Sequence, residues 1–327
     1  MKYARRDAKQ WARETLKDYF VVTTTPMKAD LSIDEAGIAA NIDRILRWDG
    51  AKGIYLNSIY QEFWTLTMAE RKRLVEVSIK AVNGRVPVNV GINSSCTADV
   101  IELGQHAQEA GADLVMIWPP TFGQRSPEGV IEYYKEITAE LDIGVCIYAS
   151  ALSEIGFQIT APMMLELAKI ENIVAAKEAS LNLATYLRTL EDVGDKICVS
   201  SPLEEYWLIG RAMLGDAKAP GFMLGSSRPL YMQNERRGLL NEFLEAANTG
   251  DLRQANTSLQ EILLIANKLH NKYLSRGEHN VALTKVITGM FGYASGPVRP
   301  AITMPPADVV NDARKVLEDA GFLEAAA

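Results

Sequence analysis

A lysine that follows a short apolar run is the residue of this chain best placed for chemistry. The run from Ile173 to Ala176 is small or branched and apolar, and Lys177 comes directly after it. Such a run predicts a strand buried on both faces, and α/β folds place their active sites at the carboxyl ends of buried strands. The lysine is either a structural residue paired with a carboxylate such as Glu178, or a desolvated amine that forms a Schiff base with a carbonyl substrate.

A tyrosine occupies the matching place on the preceding predicted strand. Tyr148 follows the apolar run from Val145 to Ile147. It is either an ordinary tyrosine at the rim of the sheet or a group that relays protons beside the lysine. Schiff-base chemistry needs such a relay, because protons move during imine formation and again at the reacting carbon. Together the two residues favour the Schiff-base interpretation.

The elements that position these residues follow a regular pattern. Between Tyr19 and Ala247 a predicted strand is followed by a predicted helix eight times, which is typical of a (β/α)8 TIM barrel. The length of 327 residues suits such a barrel with extensions. We predict an N-terminal helix in residues 1–18, the catalytic barrel in 19–250 and a three-helix extension in 251–327.

Several local features are predicted at the helix ends. Ser32 and Thr67 each precede a glutamate by three residues, which is the spacing of a capping box. Ser180 is predicted to be the N-cap of the helix after the Lys177 strand. One long helix is predicted from Arg228 to Ala247.

The loops after the barrel strands are expected to line one pocket. Trp118 and Phe122 flank a Pro-Pro-Thr segment just beyond a strand, so they predict an apolar wall for a ring or hydrocarbon group. Trp207 has a second interpretation, as a core residue of its helix. The predicted substrate-binding residues are Thr24, Thr25, Asn57, Ser58, Tyr60, Trp118, Phe122 and Trp207.

Three segments together resemble a known family over nearly the whole chain. They are the lysine segment from Val174 to Ser180, the tyrosine segment at Ile147 and Tyr148, and the C-terminal signature from Gly296 to Pro300. They are similar to the dihydrodipicolinate synthase and N-acetylneuraminate lyase superfamily of class I aldolases. The resemblance implies an imine at Lys177, a proton relay at Tyr148 and a homo-oligomer, either a tetramer or a dimer. We expect no metal or dissociable cofactor, because the lysine itself supplies the electron sink.

Within this superfamily the segments Ile147–Ala149 and Glu204–Trp207 look most like the hydratase-aldolase branch. That branch cleaves arylidene pyruvates, such as trans-o-hydroxybenzylidenepyruvate, into pyruvate and an aromatic aldehyde. The loop from Ser58 to Glu62 departs from the family's Gly-Thr-Thr-Gly-Glu pattern, which binds the carboxylate of the pyruvate unit. Phe122 replaces a tyrosine of the synthase relay. The synthase pattern also places an arginine before a glycine in the segment after Tyr148, and the residues from Ser153 to Gly156 include no arginine. These departures argue against dihydrodipicolinate synthesis.

Two rival functions remain open from the sequence. The same imine supports dehydration or deamination of a hydroxylated 2-oxo acid, and a non-catalytic ligand-binding homologue would keep the lysine without turnover.

Composition excludes several classes. The net charge of -7 gives no indication of the basic surface that binds nucleic acid. No apolar run approaches the roughly 18 residues of a membrane span. Three widely spaced cysteines and no secretory signal lead us to expect a cytoplasmic protein that acts on a small molecule.

Overall fold

The structure contains the barrel predicted from the sequence. The computed structural model describes residues 2–151, 155–219, 221–274 and 280–324. The strands are β1 (Asp18–Val22), β2 (Ala51–Leu56), β3 (Val88–Gly91), β4 (Leu114–Ile117), β5 (Gly144–Ser150), β6 (Ile173–Ala179), β7 (Cys198–Ser200) and β8 (Phe222–Leu224). They form one parallel sheet in the order β7-β6-β5-β4-β3-β2-β1-β8. A bridge between Ser201 and Met223 links the two edges, so the sheet is a nearly closed barrel.

A helix follows each strand, as the eightfold pattern predicts. Among the described residues, α2 to α9 take these places, α1 precedes the barrel, and α10 to α12 form the predicted C-terminal extension. The helices are α1 (Ala8–Thr15), α2 (Glu35–Ile45), α3 (Met68–Val82), α4 (Thr97–Ala110), α5 (Pro127–Ala139), α6 (Ala161–Leu167), α7 (Leu183–Val193), α8 (Glu204–Leu214), α9 (Leu239–Thr249), α10 (Leu252–Lys268), α11 (Asn280–Met290) and α12 (Ala307–Asp319).

The described chain divides into two compact units. The first comprises Met1–Phe20, Lys52–Tyr55 and Gly84–Leu224, and it holds β3 to β8 with α4 to α8. The second comprises Val21–Ala51, Leu56–Asn83 and Gly225–Ala327, and it holds α2, α3 and α9 to α12. The domain boundaries predicted after residues 18 and 250 stay predictions.

Helix capping confirms one local prediction and corrects two. Thr67 caps α3 in a complete capping box with Glu70. The box predicted at Ser32 is wrong, because α2 begins later and Asp34 is its N-cap. The Ser32 hydroxyl instead donates to the carboxylate of Asp30 at 2.6 Å. The N-cap predicted at Ser180 is also wrong, because β6 continues through Ala179 and the side chain of Asn182 caps α7.

The single long helix predicted after β8 is also wrong. A 3-10 turn spans Arg228–Leu230, and α9 begins only at Leu239. Between them the Asn234 side chain accepts hydrogen bonds from the backbone N–H groups of Arg236 and Arg237. Such an asparagine turn satisfies the backbone locally and competes with a helix.

No helix in the described part of the chain has the length and apolarity that a membrane crossing requires.

Candidate active site

The first unit places the predicted lysine and tyrosine side by side. Tyr148 on β5 and Lys177 on β6 are paired residues of neighbouring parallel strands. Laterally paired residues project from the same face of a sheet, and the Lys177 Nζ atom lies 4.7 Å from the centre of the Tyr148 ring. All seven residues of each strand are buried. The expectation that neighbouring strands bring these two residues together is therefore confirmed by the geometry.

Burial shapes the reactivity of the lysine. Lys177 is 5% exposed, and desolvation lowers the pKa of its amine from 10.5 to about 8, with an opposing effect from the Cys146 thiol. Glu178, the alternative structural partner, is the next residue on the strand and points to the other face. Its carboxylate accepts a hydrogen bond from the backbone N–H of Ser180 at 2.8 Å. This arrangement favours a reactive amine over a structural ion pair.

The predicted aromatic residues lie in three different environments. Trp118 is buried, with its ring centre 5.1 Å from that of Tyr148, and its backbone N–H donates to the Asn93 side chain at 3.1 Å. Phe122 is 85% exposed. Trp207 is fully buried on α8, beneath the Arg211 guanidinium at 4.8 Å. The structure therefore brings Trp118 beside the Tyr148 ring, and the substrate-binding roles of Trp118, Phe122 and Trp207 stay predictions.

In the second unit a glutamine that the sequence analysis missed organises the loop after β2. The Gln61 side chain donates to the Thr23 hydroxyl at 2.6 Å and accepts from the backbone N–H of Asn57. The backbone carbonyl of Gln61 accepts from the Thr25 hydroxyl at 2.9 Å. Thr24 is buried beside these residues in the sequence. Gln61 thus ties the loop to the segment that follows β1, a role the family pattern gave no reason to expect.

The polar residues at the start of this loop are buried with hydrogen-bonding capacity to spare. Asn57 and Ser58 are each 1% exposed. Within the described ranges, the Asn57 amide group and the Ser58 hydroxyl have no hydrogen-bond partner. Buried polar groups are normally satisfied, and their exceptions call for an explanation. A polar ligand group is one explanation, so the predicted substrate contacts of Asn57 and Ser58 stay open as predictions.

Tyr60, in the same loop, has a buried hydroxyl that faces other side chains of the second unit. Burial raises the pKa of its hydroxyl, and the Ser227 and Asn280 side chains that it faces lower that pKa in part. Ile59 packs against a cluster formed by Val281, Ala282 and Val298. The two positions that replace the family's hydroxyl residues are thus directed into the packing of the second unit. Tyr60 and the threonines Thr24 and Thr25 remain substrate-binding residues only as predictions.

A fully buried ion pair closes the loop, and the sequence analysis did not detect it. Lys285 on α11 and Glu62 are both 0% exposed, and their Nζ and Oε1 atoms lie 2.8 Å apart. The second carboxylate oxygen of Glu62 accepts from the backbone N–H of Arg299 at 3.2 Å. The backbone of Glu62 lies in the left-handed region, with φ of 48°. The only signal in the sequence is a lysine inside the apolar stretch of α11.

The C-terminal signature, from Gly296 to Pro300, packs against other residues of the second unit. The Arg299 guanidinium contacts the Glu70 carboxylate and the carbonyl oxygens of Leu31 and Thr65, and it holds the pKa of Glu70 down to about 2. Gly296 has φ of 95°, and a side chain there would collide with the carbonyl of Met27. The signature residues therefore serve the packing of the second unit.

The described ranges contain no group of three His, Cys, Asp or Glu side chains that could hold a metal ion. That no dissociable cofactor is needed stays a prediction. Two residues of the segment in which the synthase arginine is missing, Ser153 and Glu154, lie outside the described residues.

Comparisons with known proteins agree with this architecture. The sequence model of the Dihydrodipicolinate synthetase family matches residues 15–320. The 4-hydroxy-tetrahydrodipicolinate synthase of Methanopyrus kandleri is 28% identical over 91% of this chain and 94% of its own length. That of Parvibaculum lavamentivorans is 28% identical over 94% of this chain and 99% of its own length.

Solved structures share the fold. The crystal structure of dihydrodipicolinate synthase from Aquifex aeolicus superimposes with a TM-score of 0.81 at 24% identity, covering 94% of this chain and all of the other. The family match spans both units and includes the lysine, the tyrosine and the C-terminal signature. The chain belongs to the dihydrodipicolinate synthetase family.

Proposed function

We propose that this protein is a class I hydratase-aldolase that forms a Schiff base between Lys177 and a 2-oxo acid. Its membership of the family makes it an aldolase-type lyase. The observation that carries the finer proposal is the buried Lys177 amine, with a pKa lowered to about 8, over the face of Tyr148. A lysine nucleophile works as the neutral amine, and desolvation is a recognised way to supply it at neutral pH.

The proposed chemistry uses the imine as an electron sink. The Lys177 amine attacks the ketone carbon of the substrate, and loss of water gives an iminium ion. For an arylidene pyruvate, water then adds to the conjugated double bond and places a hydroxyl on the carbon that bears the aromatic group. Removal of the proton from that hydroxyl breaks the carbon–carbon bond, and the electron pair moves onto the iminium. An aromatic aldehyde leaves, the resulting enamine takes up a proton at carbon to restore the iminium, and hydrolysis of that iminium releases pyruvate.

Trp118 is the residue from which we propose that the substrate carries an aromatic group. Its buried ring packs beside Tyr148, the residue whose ring face the Lys177 amine covers. Aromatic rings favour one another in tilted and offset arrangements. The relatives described above are called 4-hydroxy-tetrahydrodipicolinate synthases. The Ser58–Glu62 loop and Phe122 depart from the synthase pattern, which is why we propose the hydratase-aldolase reaction.

Borohydride trapping tests the proposal directly. The purified protein is incubated with pyruvate or with an arylidene pyruvate, reduced, and examined by intact mass and peptide mapping. We expect one adduct per chain on Lys177, no adduct in Lys177→Ala, and release of an aromatic aldehyde with pyruvate from the conjugated substrate. An adduct that persists in Lys177→Ala, or no adduct with any 2-oxo acid, would contradict the Schiff base. An adduct formed without carbon–carbon cleavage would contradict the aldolase reaction.

The remaining expectations, a homo-oligomer and a cytoplasmic location, stay predictions.

A further inference from the structure

A third polar residue lies in register with the lysine and the tyrosine. Lys177 on β6 pairs with Tyr148 on one side and with Ser200 on β7 on the other. In a parallel sheet, such lateral neighbours project from the same face. The three side chains therefore form one row, with the amine in the middle and a hydroxyl residue on each side.

The hydroxyl of Ser200 is buried without a partner. The residue is 0% exposed, and its Oγ atom has no hydrogen-bond partner within the part of the chain that the structure describes. The next residue differs, because the equally buried Ser201 hydroxyl bonds to both the backbone carbonyl and the backbone N–H of Leu203. Leaving a buried hydroxyl unpaired is unfavourable. The Ser200 hydroxyl therefore destabilises the folded protein without substrate, whereas the Ser201 hydroxyl does not.

The adjoining row of side chains on the same face offers no structural reason for a hydroxyl at Ser200. Two residues earlier on each strand, the paired positions are Cys146, Ala175 and Cys198, which form the adjoining row of the same face. All three are fully buried and small. An alanine would suit position 200 as well as a serine by packing alone. A buried polar group that packing does not require indicates a partner that arrives with the substrate.

We propose that the Ser200 hydroxyl binds the oxygen of the carbinolamine formed on Lys177 and assists its departure as water. This inference rests on the proposed Schiff-base function. The neutral amine attacks the carbonyl carbon, the N–C bond forms, and the carbonyl π electrons move to oxygen. A proton passes from nitrogen to that oxygen, which gives the carbinolamine with its hydroxyl.

The dehydration then needs one more proton on the same oxygen. The Tyr148 hydroxyl supplies it, the C–O bond breaks, water leaves, and the nitrogen lone pair completes the C=N bond of the iminium. The phenolate left on Tyr148 is later reprotonated by the substrate hydroxyl whose proton is lost in carbon–carbon cleavage. Ser200 transfers no net proton. It holds the departing oxygen by a hydrogen bond, and its place across the amine from Tyr148 gives that oxygen a polar partner on each side.

The test compares two neighbouring serines. Borohydride trapping with pyruvate at a series of quench times gives the rate of imine formation on Lys177, and thermal unfolding gives Tm. We expect Ser200→Ala to form the imine about tenfold more slowly, the effect of losing one useful hydrogen bond, with an unchanged or higher Tm. The matched control, Ser201→Ala, is expected to lower Tm because it removes satisfied buried hydrogen bonds, and to leave the trapping rate unchanged.

A third measurement separates a direct role from an indirect one. The pH midpoint for labelling of the Lys177 amine is expected to be the same in Ser200→Ala as in the unchanged protein. A trapping rate within twofold of the unchanged protein would overturn the inference, and so would a slower rate that is accounted for by a shifted midpoint. If the unchanged protein forms no adduct with pyruvate or any other 2-oxo acid, the proposed function itself fails, and the two failures are thereby distinguished.

Discussion

Two buried lysines, one in each unit, meet opposite surroundings. Lys285 in the second unit lies 2.8 Å from the Glu62 carboxylate, and its Nζ atom also donates to the carbonyl of Pro297. Lys177 in the first unit lies over the face of the Tyr148 ring, and the Cys146 thiol opposes the lowering of its pKa. Desolvation lowers the pKa of both amines, but at Lys285 the Glu62 carboxylate opposes the change.

The difference is the one expected between a structural lysine and the reactive lysine that we propose. A carboxylate in hydrogen-bonding contact stabilises the ammonium form and fixes the amine in the packing. An aromatic face attracts a cation more weakly, so at Lys177 the neutral amine is accessible near neutral pH. Burial alone does not distinguish the two residues, and neither does an apolar neighbourhood in the sequence.

Replacing Lys285 by methionine has the largest expected effect. The change leaves the Glu62 carboxylate buried without its partner, and breaking a buried ion pair in this way costs about 3–5 kcal/mol. Urea unfolding monitored by circular dichroism measures the loss. The double variant Glu62→Gln/Lys285→Met is the control and is expected to recover much of it. A loss below about 1 kcal/mol in the single variant would show that the pair does not hold the second unit together.

Tyr148→Phe tests the relay while it keeps the ring beside the lysine. We expect turnover to fall about 100-fold, within the range for removal of a general acid–base group. The adduct on Lys177 still forms, more slowly, and the pH midpoint for labelling the amine stays near its value in the unchanged protein because the ring face remains. Steady-state kinetics and trapping measure the two effects. Unchanged turnover would remove Tyr148 from the reaction.

Lys177→Met is expected to change stability in the opposite direction to Lys285→Met. The Lys177 pKa falls from 10.5 to about 8 on folding, so the folded state binds this proton less readily than the unfolded chain does. This destabilisation of the folded state by Lys177 is fully present below pH 8 and disappears as the pH rises to 10.5. At pH 7, methionine should therefore raise the free energy of unfolding by about 1–3 kcal/mol. Urea unfolding at pH 7 checks this, and a destabilised variant would show that Lys177 is a structural residue.

The smallest expected effect is the pH dependence of imine formation, which tests the pKa of Lys177 directly. Only the neutral amine attacks a ketone, so below its pKa the trapping rate should rise about tenfold per pH unit. It should level off above pH 8, the approximate pKa of Lys177. Single-turnover trapping across this range measures the profile, with buffers matched in ionic strength. A rate that keeps rising up to pH 10 would show that the amine has the ordinary lysine pKa.

The sequence predicted what depends on local or periodic patterns. The eight strand–helix units, the buried strands and the box formed by Thr67 and Glu70 are of this kind. The same local pattern failed at Ser32 because Asp34, two residues later, provides the cap of α2. Ser180 failed as a cap because strand pairing extends β6 through Ala179. In both places a competing neighbour, invisible to a spacing rule, decided the outcome.

The second unit was predicted least well, because its key contacts join distant parts of the chain. Glu62 and Lys285 are 223 residues apart, so no window of sequence contains both. The departures of the loop after β2 from the family pattern indicate an altered carboxylate site, whereas in the structure Gln61 of this loop bonds to Thr23 and to the backbone of Asn57. A pattern comparison shows that residues differ, but it does not show which new partners they acquire.

The row of small residues next to Lys177 bears on which nucleophile a substrate meets first. Burial raises the pKa of Cys146 and of Cys198 to about 12, so at neutral pH only on the order of one thiol in 10⁵ is a thiolate. Conjugated ketones alkylate thiolates, and the arylidene pyruvates proposed above are conjugated ketones. The Lys177 amine, by contrast, is the free base in about a tenth of the molecules at pH 7. For the proposed reaction these pKa values predict chemoselectivity: the two sulfur atoms stay protonated as thiols, while the Lys177 nitrogen is available for reversible addition at the carbonyl carbon.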